Sequence, residues 1–121
     1  MSGFFNKTAE TVQLTYKGLE KPIVFYLRPV LSAETRAARQ EFFGLTEEKK
    51  EQQNHIHNVK MLSLLSVKAP ENLEGFEQQE NETVSEAITR FFSDGNEIKQ
   101  RVAEHAMTLY NQITQPQEFF R

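Results

Sequence analysis

Apolar and polar residues alternate strictly over Thr11–Tyr16, with Val12, Leu14 and Tyr16 on one side of the chain and Thr11, Gln13 and Thr15 on the other. That is the period of a half-buried strand. Lys17-Gly18 is a turn signal, and Pro22 opens Ile23-Val24-Phe25-Tyr26-Leu27. This second run is β-branched and aromatic, and a proline at its start costs no ladder hydrogen bond. Together they predict a β-hairpin over residues 11–28. Two strands alone are marginal in water, so the hairpin must pack on helices or pair with another chain. The second strand is apolar on both faces, which predicts cover on both sides.

After Pro29 the period lengthens to that of a helix. Ser32 is a good N-cap for a helix over Ala33–Phe43, with Glu34 favourably placed in its first turn and Gly44 as its terminator. Its apolar stripe is thin: Ala37, Ala38, Phe42 and Phe43. Thr46 opens a second helix, expected from Glu47 to Val67, polar as far as His55 and then dense in Ile56, Val59, Met61, Leu62, Leu64, Leu65 and Val67. Those positions exceed one stripe and predict burial on several sides. Pro70 is expected to stop it. Glu71–Glu82 holds five glutamates and no basic residue, a loop long enough to be either mobile or functional, with Leu73 and Phe76 tacking it down. Thr83 and Glu86 form a capping box for a short helix to Ser93, and Asp94-Gly95 breaks it. A last helix is expected from Asn96 to Thr114, with Ile98, Val102, Ala106, Leu109 and Ile113 as its buried stripe, Met107 and Tyr110 flanking it, and Pro116 excluding further helix. The expected fold is α+β and mainly α-helical: an N-terminal β-hairpin followed by four helices. One domain would span 11–114, between a flexible arm over 1–10 and a tail over 115–121.

At 121 residues the chain supports one modest core. A formal charge of −3 gives no general attraction to nucleic acid or anionic lipid. Arg28, Arg36 and Arg39 make the best basic patch, and Glu34 and Glu41 interrupt it. No apolar run is long enough to span a membrane, and Met1–Glu10 lacks the marks of a signal peptide, so the expectation is a cytosolic protein. Cysteine is absent, which removes disulfides and thiolate metal sites. His55 and His57 would lie about 200° apart on a helix and cannot share an ion from one face. With His105, they read as solvent or edge positions. Ser63 and Ser66 sit on an apolar helix, where small side chains allow close packing. The acidic loop lacks the alternating ligands of a calcium loop, and no nucleophile elbow or phosphate loop occurs. Neither a cofactor nor an enzymatic activity is expected.

What remains is protein binding. Eight of the ten phenylalanines fall in four adjacent pairs: Phe4-Phe5, Phe42-Phe43, Phe91-Phe92 and Phe119-Phe120. Neighbours on a helix diverge by about 100°, so one ring can enter the core while the other looks elsewhere. The two inner pairs close helices and should each place at least one ring at home. Phe4-Phe5 is either a loose end or a docking arm. The candidate binding residues are Phe4, Phe5, Phe25, Tyr26, Phe119 and Phe120, since aromatic residues are enriched in interface cores.

Residues Phe25–Glu34 read Phe-Tyr-Leu-Arg-Pro-Val-Leu-Ser-Ala-Glu, an extended segment ending in Arg-Pro before a capped helix. Downstream come a long helix with Met61–Leu65, an acidic loop, Phe91-Phe92-Ser93-Asp94-Gly95, and a last helix carrying Leu109-Tyr110-Asn111. In layout and composition, over roughly Thr11 to Asn111, the chain resembles the tail assembly chaperones of long-tailed bacteriophages. The resemblance implies a non-enzymatic, oligomeric chaperone in the cytoplasm of the infected host. It would keep the tape measure protein soluble, help the tail tube protein polymerise around it, and leave before the virion is complete. It also implies that this chain is the short form of a frameshifted pair. The family has no catalytic residues to carry over. The alternative is a small nucleic-acid-binding or regulatory phage protein.

Overall fold

The computed structural model describes residues 10–15, 20–29, 32–94 and 96–119. Seven elements follow in order: β1 (Glu10–Leu14), β2 (Ile23–Leu27), α1 (Ala33–Phe43), α2 (Glu47–Leu65), β3 (Ser66–Glu71), α3 (Val84–Phe92) and α4 (Glu97–Phe119). The α+β, mainly helical architecture expected from the periods is present, with the hairpin and all four helices. Its sheet is antiparallel and three-stranded in the order β1-β2-β3.

β3 is the element that periodicity missed. The second helix ends at Leu65, two residues short of the expected Val67, and the chain turns directly into a strand. The physical reason lies partly in Pro70, which pushes Ala69 out of the helical region, and partly in β2, whose far edge needs a partner. Leu27 pairs with Ser66, Tyr26 with Lys68 and Val24 with Glu71. The Arg28 N–H closes the corner by donating to the Leu65 carbonyl at 2.9 Å. Ser66 Oγ donates to the Leu62 carbonyl at 2.7 Å, satisfying one of the helix's last acceptors.

Three helix starts follow their caps. Ser32 Oγ accepts from the Thr35 N–H and Thr46 Oγ1 from the Lys49 N–H. At Thr83 both halves of the capping box form, at 3.1 and 2.9 Å. α2 is the central helix and packs against α1, α3, α4 and β2. Val12 and Leu14 of β1 and Ile23, Phe25 and Leu27 of β2 meet Leu62 and Leu65 of α2, Ile88 and Phe92 of α3, and Tyr110 of α4 in one core. Tyr110 is fully buried and its hydroxyl donates to the Arg28 carbonyl at 2.6 Å. Ser63 is buried, and the Ser85 hydroxyl of α3 donates to its carbonyl, the close helix contact expected of a small side chain.

α4 departs from its expected stripe. Val102, Ala103, Ala106, Met107 and Tyr110 are buried, Leu109 is half-buried, and Ile98 and Ile113 are exposed. The helix is rotated so that its alanines, which leave room for close approach, face inward. α4 also runs through Pro116 to Phe119. A proline's fixed φ near −65° is compatible with a helix, although it removes one N–H from the ladder and crowds the carbonyl four residues before it, here that of Gln112.

Two glycines separate by backbone geometry. Gly44 ends α1 with φ −79° and ψ −7°, and an added Cβ would sit 3.5 Å from the Gln40 carbonyl oxygen, an ordinary contact. Gly75 holds φ +84°, where a side chain is strained. Gly75→Ala should therefore cost about 1–2 kcal/mol, whereas Gly44→Ala should be neutral or stabilising by about 0.4–1 kcal/mol. Urea denaturation of the two variants should give midpoint shifts of opposite sign, or a shift for Gly75 alone.

Candidate functional site

The hairpin residues proposed for binding part company. Phe25 pairs with Val12 across the sheet and is fully buried. It is a core residue, because it shares the inner face of β2 with Ile23 and Leu27, and its ring is not offered to a partner. Tyr26 points to the opposite face and is half-buried, between Thr11 of β1 and Lys68 of β3. The Lys68 ammonium lies 4.1 Å from the Tyr26 ring centroid. A hydrogen bond to the Glu71 carboxylate pushes the Tyr26 hydroxyl above its ordinary pKa. The main core lies on the Phe25 side of β2, and Thr11, Gln13, Thr15, Tyr26, Lys68 and Glu71 stand on the other face. On that second face Val24 is buried and Tyr26 half-buried, apart from the core cluster. Phe4, Phe5 and Phe120 lie outside the described residues, and Phe119 is described only as the last backbone position of α4.

The inner Phe pairs each divide as geometry demands. Phe92 is fully buried, and Phe91, half-buried, meets Phe92 and Phe76 edge-on with centroids 4.9 and 5.6 Å apart. Phe42 stacks on His57 at 4.1 Å, while Phe43 is 58 % exposed at the corner between α1 and α2. Arg39 and Lys50 stand 5.9 and 5.6 Å from the Phe43 ring. Beside this corner a cleft of about 220 Å³ opens between α1, α2 and α4, with Phe42, Met61 and Met107 as apolar lining and Asn58 and Asn111 as polar groups.

The histidines at 55 and 57 are not simple solvent positions. His57 is half-buried against Phe42, and burial, with Lys60 and Arg39 nearby, pushes its pKa below the usual imidazole value. His55 meets the Phe92 carbonyl at 3.0 Å, so Nε2 is its donor, and its Nδ1 is buried with no hydrogen-bond partner. Each ring ties α2 to a neighbouring helix. A spacing of two, which excludes a shared ion, is what lets them reach opposite neighbours.

The acidic loop is held by one cation. Arg90 of α3 donates through Nε and Nη2 to both carboxylate oxygens of Glu82, at 2.7 and 2.9 Å, and through Nη2 to the Glu77 carbonyl at 2.7 Å. Leu73 and Phe76 pack on the core as expected. The Glu82 side chain is only 13 % exposed, and the Arg90 guanidinium holds its pKa at about 2 instead of 4.5. A carboxyl depressed on folding stabilises the protein above its unfolded value and loses that contribution as pH falls from about 4.5 toward 2. Arg90→Gln should return Glu82 to the ordinary carboxylate range, a change that carbon-detected NMR titration of its carboxyl group reads directly.

Large apolar side chains also lie outside the core. Ile98 is 72 % exposed and Ile56 65 %, with Val67 and Ile113 less so. Sequence periodicity places all four on buried helix faces, and the structure exposes them. The spacing of Ala103, Ala106, Met107 and Tyr110 was the signal for the true inward face of α4. Among the described residues, no three His, Asp or Glu side chains converge on a possible metal position. In comparisons with known proteins, no family model, curated protein or solved structure matches this chain.

Proposed function

We propose that this chain is a non-enzymatic phage tail assembly chaperone, which binds and solubilises the tape measure protein and promotes tail tube assembly as an oligomer in the host cytoplasm. The resemblance over Thr11–Asn111 supplies the family. The observation that carries the reading is the display of Phe43, Ile56 and Ile98, each more than half exposed, on a chain with a complete core of its own. A chaperone for an aggregation-prone client needs separate, weak apolar contacts, and exposed aromatic and aliphatic groups provide them. Phe43, between Arg39 and Lys50, also suits apolar client segments that carry acidic residues.

Co-expression with a tape measure protein should keep that protein in the soluble fraction, and Phe43→Ser with Ile56→Ser should reduce the effect. No gain in solubility with the native chain rejects the reading. Binding that collapses steeply as salt rises would instead mark a phosphate-binding regulator.

A further inference from the structure

The two edges of the sheet are built differently. β3 carries Lys68 and Pro70, and its register with β2 shifts twice. A lysine, a proline and an irregular ladder all blunt an edge against further pairing. β1 has none of these. It pairs with β2 in unbroken register over five positions, from Glu10↔Leu27 to Leu14↔Ile23, and contains neither lysine nor proline. Along its other side, no strand of the described residues pairs with it. Such an edge is a template for another strand.

We propose that the strand is β1 of a second copy, paired antiparallel about a two-fold axis at Val12. Three observations select this occupant. First, Val12 and Leu14 face the core while Thr11, Gln13 and Thr15 face out. Pairing of like parity about an axis perpendicular to the sheet keeps both inner faces on one side and both outer faces on the other. Second, Glu10 is the single charged residue of β1, and this register sets it opposite Leu14 and sets Thr11 opposite Gln13, so no like charges meet. Third, the assembly closes. The joined sheet runs β3-β2-β1-β1-β2-β3, and both edges that remain are the guarded β3. Growth therefore stops at the dimer, as an isologous contact requires. The inference deepens the self-association within the proposed chaperone reading by naming the surface through which copies meet. It does not depend on the client, whose solubility is measured separately.

The test uses the full chain in sedimentation experiments, with the double variant Thr11→Lys/Gln13→Lys. Both positions are exposed, and in the proposed register each lysine faces a lysine of the other copy. The native chain should sediment as a dimer, and the lysine variant as a monomer with unchanged helical circular dichroism. Thr11→Glu/Gln13→Glu should also be monomeric alone, and mixing it with the lysine variant should restore the dimer. In the native chain, hydrogen exchange at the β1 amides should slow as concentration rises, a readout that needs no variant. A native chain that stays monomeric at high concentration overturns the proposal, as does a lysine variant that remains dimeric. β1 amides protected only when a client is added would overturn it in favour of an extended client segment on the same edge.

Discussion

Phe92→Ala is expected to lower stability by about 3–5 kcal/mol, the largest effect of any single change in the two inner Phe pairs. The ring is fully buried where α3 meets the core, edge-on to Phe91, and the Phe92 carbonyl bonds the His55 ring of α2. Truncation would leave a cavity between elements that already touch closely and could not collapse around it. Small domains have about 5–15 kcal/mol in total, so the variant should stand near the limit of folding. Phe43→Ala is the matched control. Its ring is mostly in solvent, and the change should move stability by about 0.5 kcal/mol or less. Equal midpoints for the two variants in urea denaturation would mean that Phe92 is not the anchor its burial indicates.

The second large effect concerns Phe25. Phe25→Ala should also cost about 3–5 kcal/mol, and it should abolish self-association and client binding together, because the fold that carries them is lost. Phe25→Leu should retain both, since a volume-conserving apolar swap costs about 1.5 kcal/mol or less. Tyr26→Ala should leave the fold intact. Its ring stands on the outer face under Lys68, outside the core cluster, so circular dichroism should be preserved. The measurement is thermal denaturation alongside sedimentation. A Phe25→Leu variant that folds normally yet fails to associate would restore Phe25 as a contact residue and undo its assignment to the core.

Local chemistry was legible along most of the chain. The alternation at Thr11–Leu14, the apolar run at Ile23–Leu27, the serine and threonine caps and the Thr83–Glu86 box each act within a few residues, so their physics is complete in the sequence. The expected binding residues were less so. Phe25 and Tyr26 are neighbours of similar type, and only the side of β2 on which the helices pack makes one a core residue and the other a surface residue. The polar anchor of the acidic loop was not legible, because the cation that holds it, Arg90, lies beyond it on α3.

By itself, then, the sequence determined the hairpin, the four helices, their starts and the presence of one core. Tertiary structure alone decided three further things. It made Ser66–Glu71 a strand, because backbone groups along β2 required a partner that no local period announces. It set the rotation of α4, which turned Ala103, Met107 and Tyr110 inward beside Val102 and Ala106 and left Ile98 and Ile113 exposed. And it divided the phenylalanine pairs, since two adjacent rings on a helix cannot both face one neighbour, and which of them turns inward depends on where that neighbour lies.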